Sequence, residues 1–212
     1  DNYFVLENKT VSGYDKSTSV NTNNLESKGV EIIYNDRLMD LDKVYMDKNN
    51  TLVIYTPAIP RSLKILDYFI SNDFVVIKRS EALGLIANSS FCVAIAGTHG
   101  KTTTTSILGH LLKYCNKSAT TFLGGISENY NSNLIANGKD ICVVEADEFD
   151  KSFLTLKPNI ACITSIDADH LDIYNSIDDL KDTFNLFINQ IVPNGHLIVS
   201  DHLSLSGDKY GF

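Results

Sequence analysis

The chain has 212 residues, with 18 Lys and Arg against 26 Asp and Glu, for a formal net charge of -8 at pH 7. A hydrophobic content of 43% with 21% charged residues suits a globular core and excludes a disordered segment. The acidity argues against a nonspecific nucleic-acid binder, though a local loop can still attract phosphate.

The length allows one large domain or two small ones. Residues 9–13 read as a strand and 21–28 as a short helix stopped at Gly29. Residues 30–34 and 51–55 read as strands, with Thr56-Pro57-Ala58-Ile59-Pro60 as a loop. Leu63, Ile65, Leu66, Phe69 and Ile70 place an apolar face on a helix over 62–71, and 74–77 reads as another strand. This alternation predicts an α/β fold with a mainly parallel sheet. Residues 79–90 contain Gly84 and end in Asn88-Ser89-Ser90, so they read as a connection; the expected domains are 1–88 and 89–212. Beyond it, 91–96 reads as a strand, and 141–144 and 160–164 are apolar enough for central parallel strands. Residues 177–191 read as a helix with Leu180, Phe184, Phe187, Ile188 and Ile191 inward, and a turn at Pro193-Asn194-Gly195 precedes a strand over 196–200.

The densest signal is Gly97-Thr98-His99-Gly100-Lys101-Thr102-Thr103-Thr104-Thr105, between the strand over 91–96 and an apolar helical run. Strand, glycine turn and helix form the context of a phosphate loop. Glycines let amides point inward, the helix start favours an anion, Lys101 adds a positive charge, and the Thr102 hydroxyl can reach magnesium. The loop departs from G-x-x-x-x-G-K-[ST]: the position of the first glycine holds Ile95, and the turn is the shorter G-x-x-G-K-T.

Two predicted strands run into acid clusters, Glu145-Ala146-Asp147-Glu148-Phe149-Asp150 and Asp167-Ala168-Asp169-His170-Leu171-Asp172. Ligands of open α/β sheets bind beyond the carboxyl ends of strands, so these clusters and the glycine loop are expected to converge. Magnesium takes oxygen ligands and keeps waters. Glu145 directly follows an apolar strand and is the best acid for it, and His170 is a candidate for a second cation. Asp147, Glu148, Asp150 and Asp167 are expected to support these residues or to cap a following helix. His110, His196 and His202 read as structural. Cys92, Cys115, Cys142 and Cys162 form no C-x-x-C pair and read as reduced thiols, which suits the cytoplasm. No apolar run is long enough to span a membrane and no secretory signal is visible.

In order along the chain, the loop at 97–105, Glu145-Ala146-Asp147-Glu148-Phe149-Asp150 and Asp169-His170-Leu171-Asp172 resemble the Mur ligase family. Gly124-Gly125-Ile126, Asn129-Tyr130-Asn131-Ser132-Asn133, Ser12-Gly13-Tyr14-Asp15-Lys16-Ser17 and the loop at 56–60 fit the same pattern. The resemblance implies a Rossmann-like domain for a UDP sugar, followed by a P-loop-type ATP-binding α/β domain. It implies a cytoplasmic enzyme of peptidoglycan synthesis that uses ATP and Mg2+ to join L-alanine to the lactyl carboxylate of UDP-N-acetylmuramate through an acyl phosphate. The nearest alternative is a recycling ligase that adds a whole murein peptide to the same sugar.

Carried over by position, Gly97, Thr98, His99, Gly100, Lys101, Thr102 and Thr103 would bind ATP. Thr102 and Glu145 would hold one magnesium and His170 a second. Lys101, Glu145 and His170 would be catalytic. Asp15 is a candidate for the uridine end, and Asn129 and Asn131 for the substrate side. The family's first strand with its glycine-rich loop, and its third domain, have no counterpart here, and residues 201–212 match poorly. The chain is therefore expected to be a fragment, inactive by itself. A nucleotide-binding switch and a nicotinamide oxidoreductase are further alternatives. The second acid cluster argues against the former, the missing G-x-G-x-x-G against the latter.

Overall fold

The computed structural model describes residues 1–60, 62–167, 174, 176–200, 203 and 209–211. It divides into two compact units, Asp1–Arg79 and Ser80–Phe212.

The first unit contains α1 (Asn2–Leu6), β1 (Ser12–Tyr14), α2 (Val20–Glu26), β2 (Glu31–Ile33), β3 (Leu52–Tyr55), α3 (Lys64–Ser71) and β4 (Val75–Lys78). Its strands form two parallel pairs, β1 with β2 and β3 with β4. Ile65 and Phe69 of α3 pack with Ile33, Leu41 and Phe74, which is the face that the apolar spacing of 62–71 predicts. Two helix starts are satisfied differently. Ser19 accepts from the Thr22 amide at 3.1 Å and its own amide donates to the Thr22 hydroxyl, a reciprocal cap on α2. Leu63 offers α3 no such group, and Asp36, 28 residues earlier than Lys64, accepts from the Lys64 and Ile65 amides at 2.8 and 3.0 Å.

The expected connection at 79–90 is instead a helix, α4 (Arg79–Asn88). Ala82, Gly84 and Ala87 are its buried residues, so small side chains rather than a large apolar stripe form the packed face. A Cβ on Gly84 would lie 2.9 Å from the Thr155 carbonyl oxygen, which explains the glycine that reads from the sequence as a breaker. The expected boundary at 88/89 falls at the far end of this helix, whereas the compact units divide at its start.

The second unit continues with β5 (Phe91–Ala96), α5 (Lys101–Tyr114), β6 (Ala119–Ser127), β7 (Ser132–Ala136), β8 (Ile141–Glu145), β9 (Ile160–Ile163), α6 (Ile177–Ile188), β10 (His196–Val199) and β11 (Lys209–Gly211). One seven-stranded sheet runs β11-β10-β9-β5-β8-β6-β7, with only β6 and β7 antiparallel. The α/β class with a mainly parallel sheet is as the sequence predicts, and β5 lies between β8 and β9. Alternation along β5 sorts its side chains onto two faces. Cys92, Ala94 and Ala96 join a core with Phe153, Tyr174, Leu180, Phe184 and Phe187, while Val93 and Ile95 join Val143 beneath Leu108 and Leu112 of α5. The small residues of β5 leave room for three rings: Phe153 stacks on Phe187 at 4.7 Å and meets Phe184 edge-on at 5.5 Å. The β6–β7 hairpin and β11 have no counterpart among the predicted elements.

Candidate functional site

The order β9-β5-β8 brings the segments after three strand ends together. The turn after β5 has Gly97 at φ +131° and Gly100 at φ +82°, conformations that L side chains rarely adopt. A Cβ on Gly97 would also collide with the Thr164 hydroxyl and lie 2.8 Å from the Ser165 amide nitrogen. Gly100 is the residue before α5 and supplies no side-chain cap. The amides of the first helical turn have no acceptor within a helix, so this end of α5 suits an anion.

Ser165 organises the other half of the loop. Its carbonyl accepts from the Thr98 amide at 3.0 Å and its hydroxyl from the His99 amide at 2.9 Å. The Thr98 and Ser165 hydroxyls are 2.9 Å apart, and the Asp167 amide donates to the Thr98 hydroxyl at 3.0 Å. Two of the amides expected for phosphate are thus engaged inside the protein, which leaves Gly100 and the start of α5 as the part of the loop that suits an anion. Thr98 is buried and His99 exposed. The His99 imidazole lies 3.8 Å from the Asp167 carboxylate.

Lys101 and Thr102 point to different carboxylates. Glu145 shares the α5-side face of β8 with Val143, as the two-residue period requires. It accepts from the Thr102 hydroxyl at 2.9 Å and from the Gly124 amide at 2.7 Å. The acid at the end of a strand and the hydroxyl at the start of a helix, chosen separately from the sequence, are therefore neighbours. Lys101 turns instead to Glu148, donating to its two oxygens at 3.0 and 2.9 Å and to the Gly97 carbonyl at 2.6 Å. The lysine side chain is 15% exposed and the Glu148 side chain 0%.

Sequence reasoning assigned Glu148 a supporting or capping part and missed this pairing. A fully buried carboxylate implies a cation nearby, but burial is not visible in a strand-end cluster of acids. Asp147 accepts from the Phe149 amide at 3.2 Å, an Asx turn that opens the 3-10 segment Phe149–Thr155. Tyr174, buried beside this segment, donates to the Glu148 carbonyl at 2.6 Å. Burial first, then the nearby carboxylates of Glu148, Asp179 and Asp147, push its hydroxyl up to about 12.

Thr103 is exposed on the first turn of α5, beside Thr102. Asn129 and Asn131 are exposed in the turn between β6 and β7, where Asn131 takes φ +45°. Next to them, Tyr130 bonds His110 at 2.8 Å and lies under the Lys113 ammonium at 4.6 Å, so His110 has a partner that its sequence context does not suggest. Asp15 belongs to the first unit and accepts from the Ser17 amide at 3.2 Å. His170, Asp169, Asp172 and His202 lie outside the described residues, as does the side chain of Asp150.

The donor set fits a hydrated hard cation: a threonine hydroxyl and a carboxylate converge within 2.9 Å beside an anion-favouring helix start. Among the described residues no three His, Cys, Asp or Glu side chains gather into a cage. Among the described residues, the carboxylates of Glu145, Glu148 and Asp167 gather around the loop with Lys101, and a cation would offset their repulsion of a polyanion.

The description "Mur ligase family, catalytic domain" matches residues 1–91, and "Mur ligase middle domain" matches residues 95–206. The UDP-N-acetylmuramate–L-alanine ligase of Flavobacterium psychrophilum is 50% identical over 209 residues, covering 99% of this chain and 46% of the relative. The ligase of the same name from Cytophaga hutchinsonii is 39% identical over 216 residues, covering 96% and 46%. The crystal structure of UDP-N-acetylmuramate–alanine ligase from Thermotoga maritima superimposes with a TM-score of 0.78 at 25% identity, covering 99% of this chain and 48% of that one. The chain belongs to the Mur ligase family. It spans about half the length of the curated relatives it matches. Among the described residues, no helix is long and apolar enough to cross a membrane.

Proposed function

We propose that this chain carries the nucleotide site of an ATP-dependent ligase that joins L-alanine to the lactyl carboxylate of UDP-N-acetylmuramate in peptidoglycan precursor synthesis. One observation carries the reading. Lys101, Thr102 and Glu145 converge at the start of α5 in a chain 50% identical, over 99% of its length, to a ligase of that name.

The chemistry asks for activation, because a carboxylate is a poor electrophile. ATP with magnesium would supply a phosphoryl group, turning the carboxylate into an acyl phosphate from which the amine of L-alanine displaces phosphate. The residues of this chain bind and orient. Amides at the start of α5 and the Lys101 ammonium stabilise negative charge on the phosphates. Thr102 and Glu145 would hold the cation, and the Gly124 amide donates to the Glu145 carboxylate beside Thr102. His170 is proposed as the ligand of a second cation. The first unit is proposed to bind the UDP sugar, with Asp15 at the uridine end and Asn129 and Asn131 of the second unit on the substrate side. The cytoplasm, where ATP and the UDP sugar are available, is the proposed location.

The test is phosphate release by the full-length protein with ATP and magnesium, with UDP-N-acetylmuramate and L-alanine each present or omitted. Release that needs both, and is lost in Lys101→Ala, supports the ligase. Preference for a murein peptide over alanine would replace it with the recycling reaction. Release indifferent to the sugar would end the ligase reading.

A further inference from the structure

We propose that Glu148 is the positioning residue of this site: its buried carboxylate anchors the Lys101 ammonium at the mouth of the glycine loop and keeps hold of it when phosphate arrives. The proposal rests on the nucleotide-site reading above. An ammonium has three donors and no acceptor. Three oxygens lie within 3.0 Å of it, two from Glu148 and one from Gly97, enough to take all three N–H groups. To reach a phosphate, Lys101 must release one.

The two partners are not equally easy to leave. Gly97 offers a neutral carbonyl in a loop. Glu148 is a fully buried charge, and stripping the cation from such a carboxylate is strongly unfavourable. Lys101 therefore gives up Gly97 and turns about Glu148. The anchor itself is held on a packed base. The Glu148 carbonyl accepts from buried Tyr174, its residue opens the 3-10 segment carrying Phe153, and that ring stacks on Phe187 of α6. Glu148 thus acts through Lys101 on where positive charge sits.

The test uses the full-length protein as wild type, Glu148→Gln and Glu148→Asp. Gln keeps the shape and removes the charge; Asp keeps the charge and withdraws it by one methylene. Without nucleotide, mass-spectrometric mapping of an amine-acylating reagent reads the anchor directly: Lys101 is expected to react faster in Glu148→Gln than in wild type, with other lysines unchanged. Binding of a trinitrophenyl-ATP probe is expected to stay within about threefold in Kd, while kcat falls about a hundredfold, the loss that a roughly 1 Å misplacement of a catalytic group brings. A variant merely loosened would instead label at many lysines and bind the probe weakly, and that pattern overturns the proposal. So does wild-type kcat in Glu148→Asp, which keeps the proposal testable if Glu148→Gln does not fold. Failure of the wild type to bind the probe overturns the nucleotide-site reading and the proposal together. Wild-type binding with both variants unchanged overturns the proposal alone.

Discussion

At the scale of single residues, the Lys101–Glu148 pair carries the largest stability consequence. Lys101→Met removes the cation from both Glu148 oxygens and is expected to destabilise the native state by about 3 kcal/mol. Lys101→Met combined with Glu148→Gln removes both charges and should recover most of that loss, as a double-mutant cycle by urea unfolding would read. If the two single effects simply add, the pair is not coupled. Cysteine reactivity sorts by burial. Burial pushes the thiols of Cys92 and Cys142 up to about 12, with Cys92 a further smaller cause at Cys142, while Cys115 is exposed. Iodoacetamide at neutral pH should therefore modify Cys115 in the native protein and spare the other two until denaturant is added. Early labelling of Cys92 would contradict the packed face of β5. At this scale Lys101, Thr102 and Glu145 were legible in the sequence, because glycine turn, strand end and helix start have local signatures. Glu148 was not, because its cation lies 47 positions away.

At the scale of elements, helix ends and tight approaches decide most. α3 has no cap of its own, and Asp36 serves from a distant loop. Asp36→Ala should lower the stability of the first unit by about 1 kcal/mol, seen as faster amide exchange in α3; exchange at the wild-type rate would show that the helix does not depend on the loop. α5 meets β6 through Gly109, where a Cβ would lie 2.7–2.9 Å from Thr121 side-chain atoms. That glycine sits inside a helix, where local propensity disfavours it, and only the neighbouring strand explains it. The same logic covers two stretches that the predicted elements lack. α4 buries Ala82, Gly84 and Ala87, too small to mark a helical stripe. β6, absent from the predicted elements, runs through Gly124 and Gly125, and a Cβ on Gly124 would lie 2.7 Å from a Glu145 carboxylate oxygen, which would have to move.

At the scale of the molecule, buried protons link the core to pH. Cys92 and Cys142 are raised from 9.0, and Tyr174 from 10.0, each to about 12, with burial the leading cause. The folded state keeps these protons where the unfolded chain has released them. Stability from this source is complete below the unfolded values and is lost as pH rises from about 9 toward about 12. The urea midpoint should fall across that window, and the fall should shrink in a Cys92→Ala, Cys142→Ala double variant; a flat profile in the parent would mean these groups do not titrate with unfolding.

The sequence by itself determined the α/β class, the central apolar strands and the glycine turn between strand and helix, because each rests on residues close together in the chain: periodicity, glycine spacing and a strand–turn–helix order. The family followed from motifs whose order along the chain is itself information. Only the tertiary structure decided which groups meet. The β9-β5-β8 order sets Ser165 against the loop, Glu145 against Thr102 and Glu148 under Lys101. The reason is physical: the partner of a buried charge or a tight glycine is chosen by strand order and packing, and neither has a local signature.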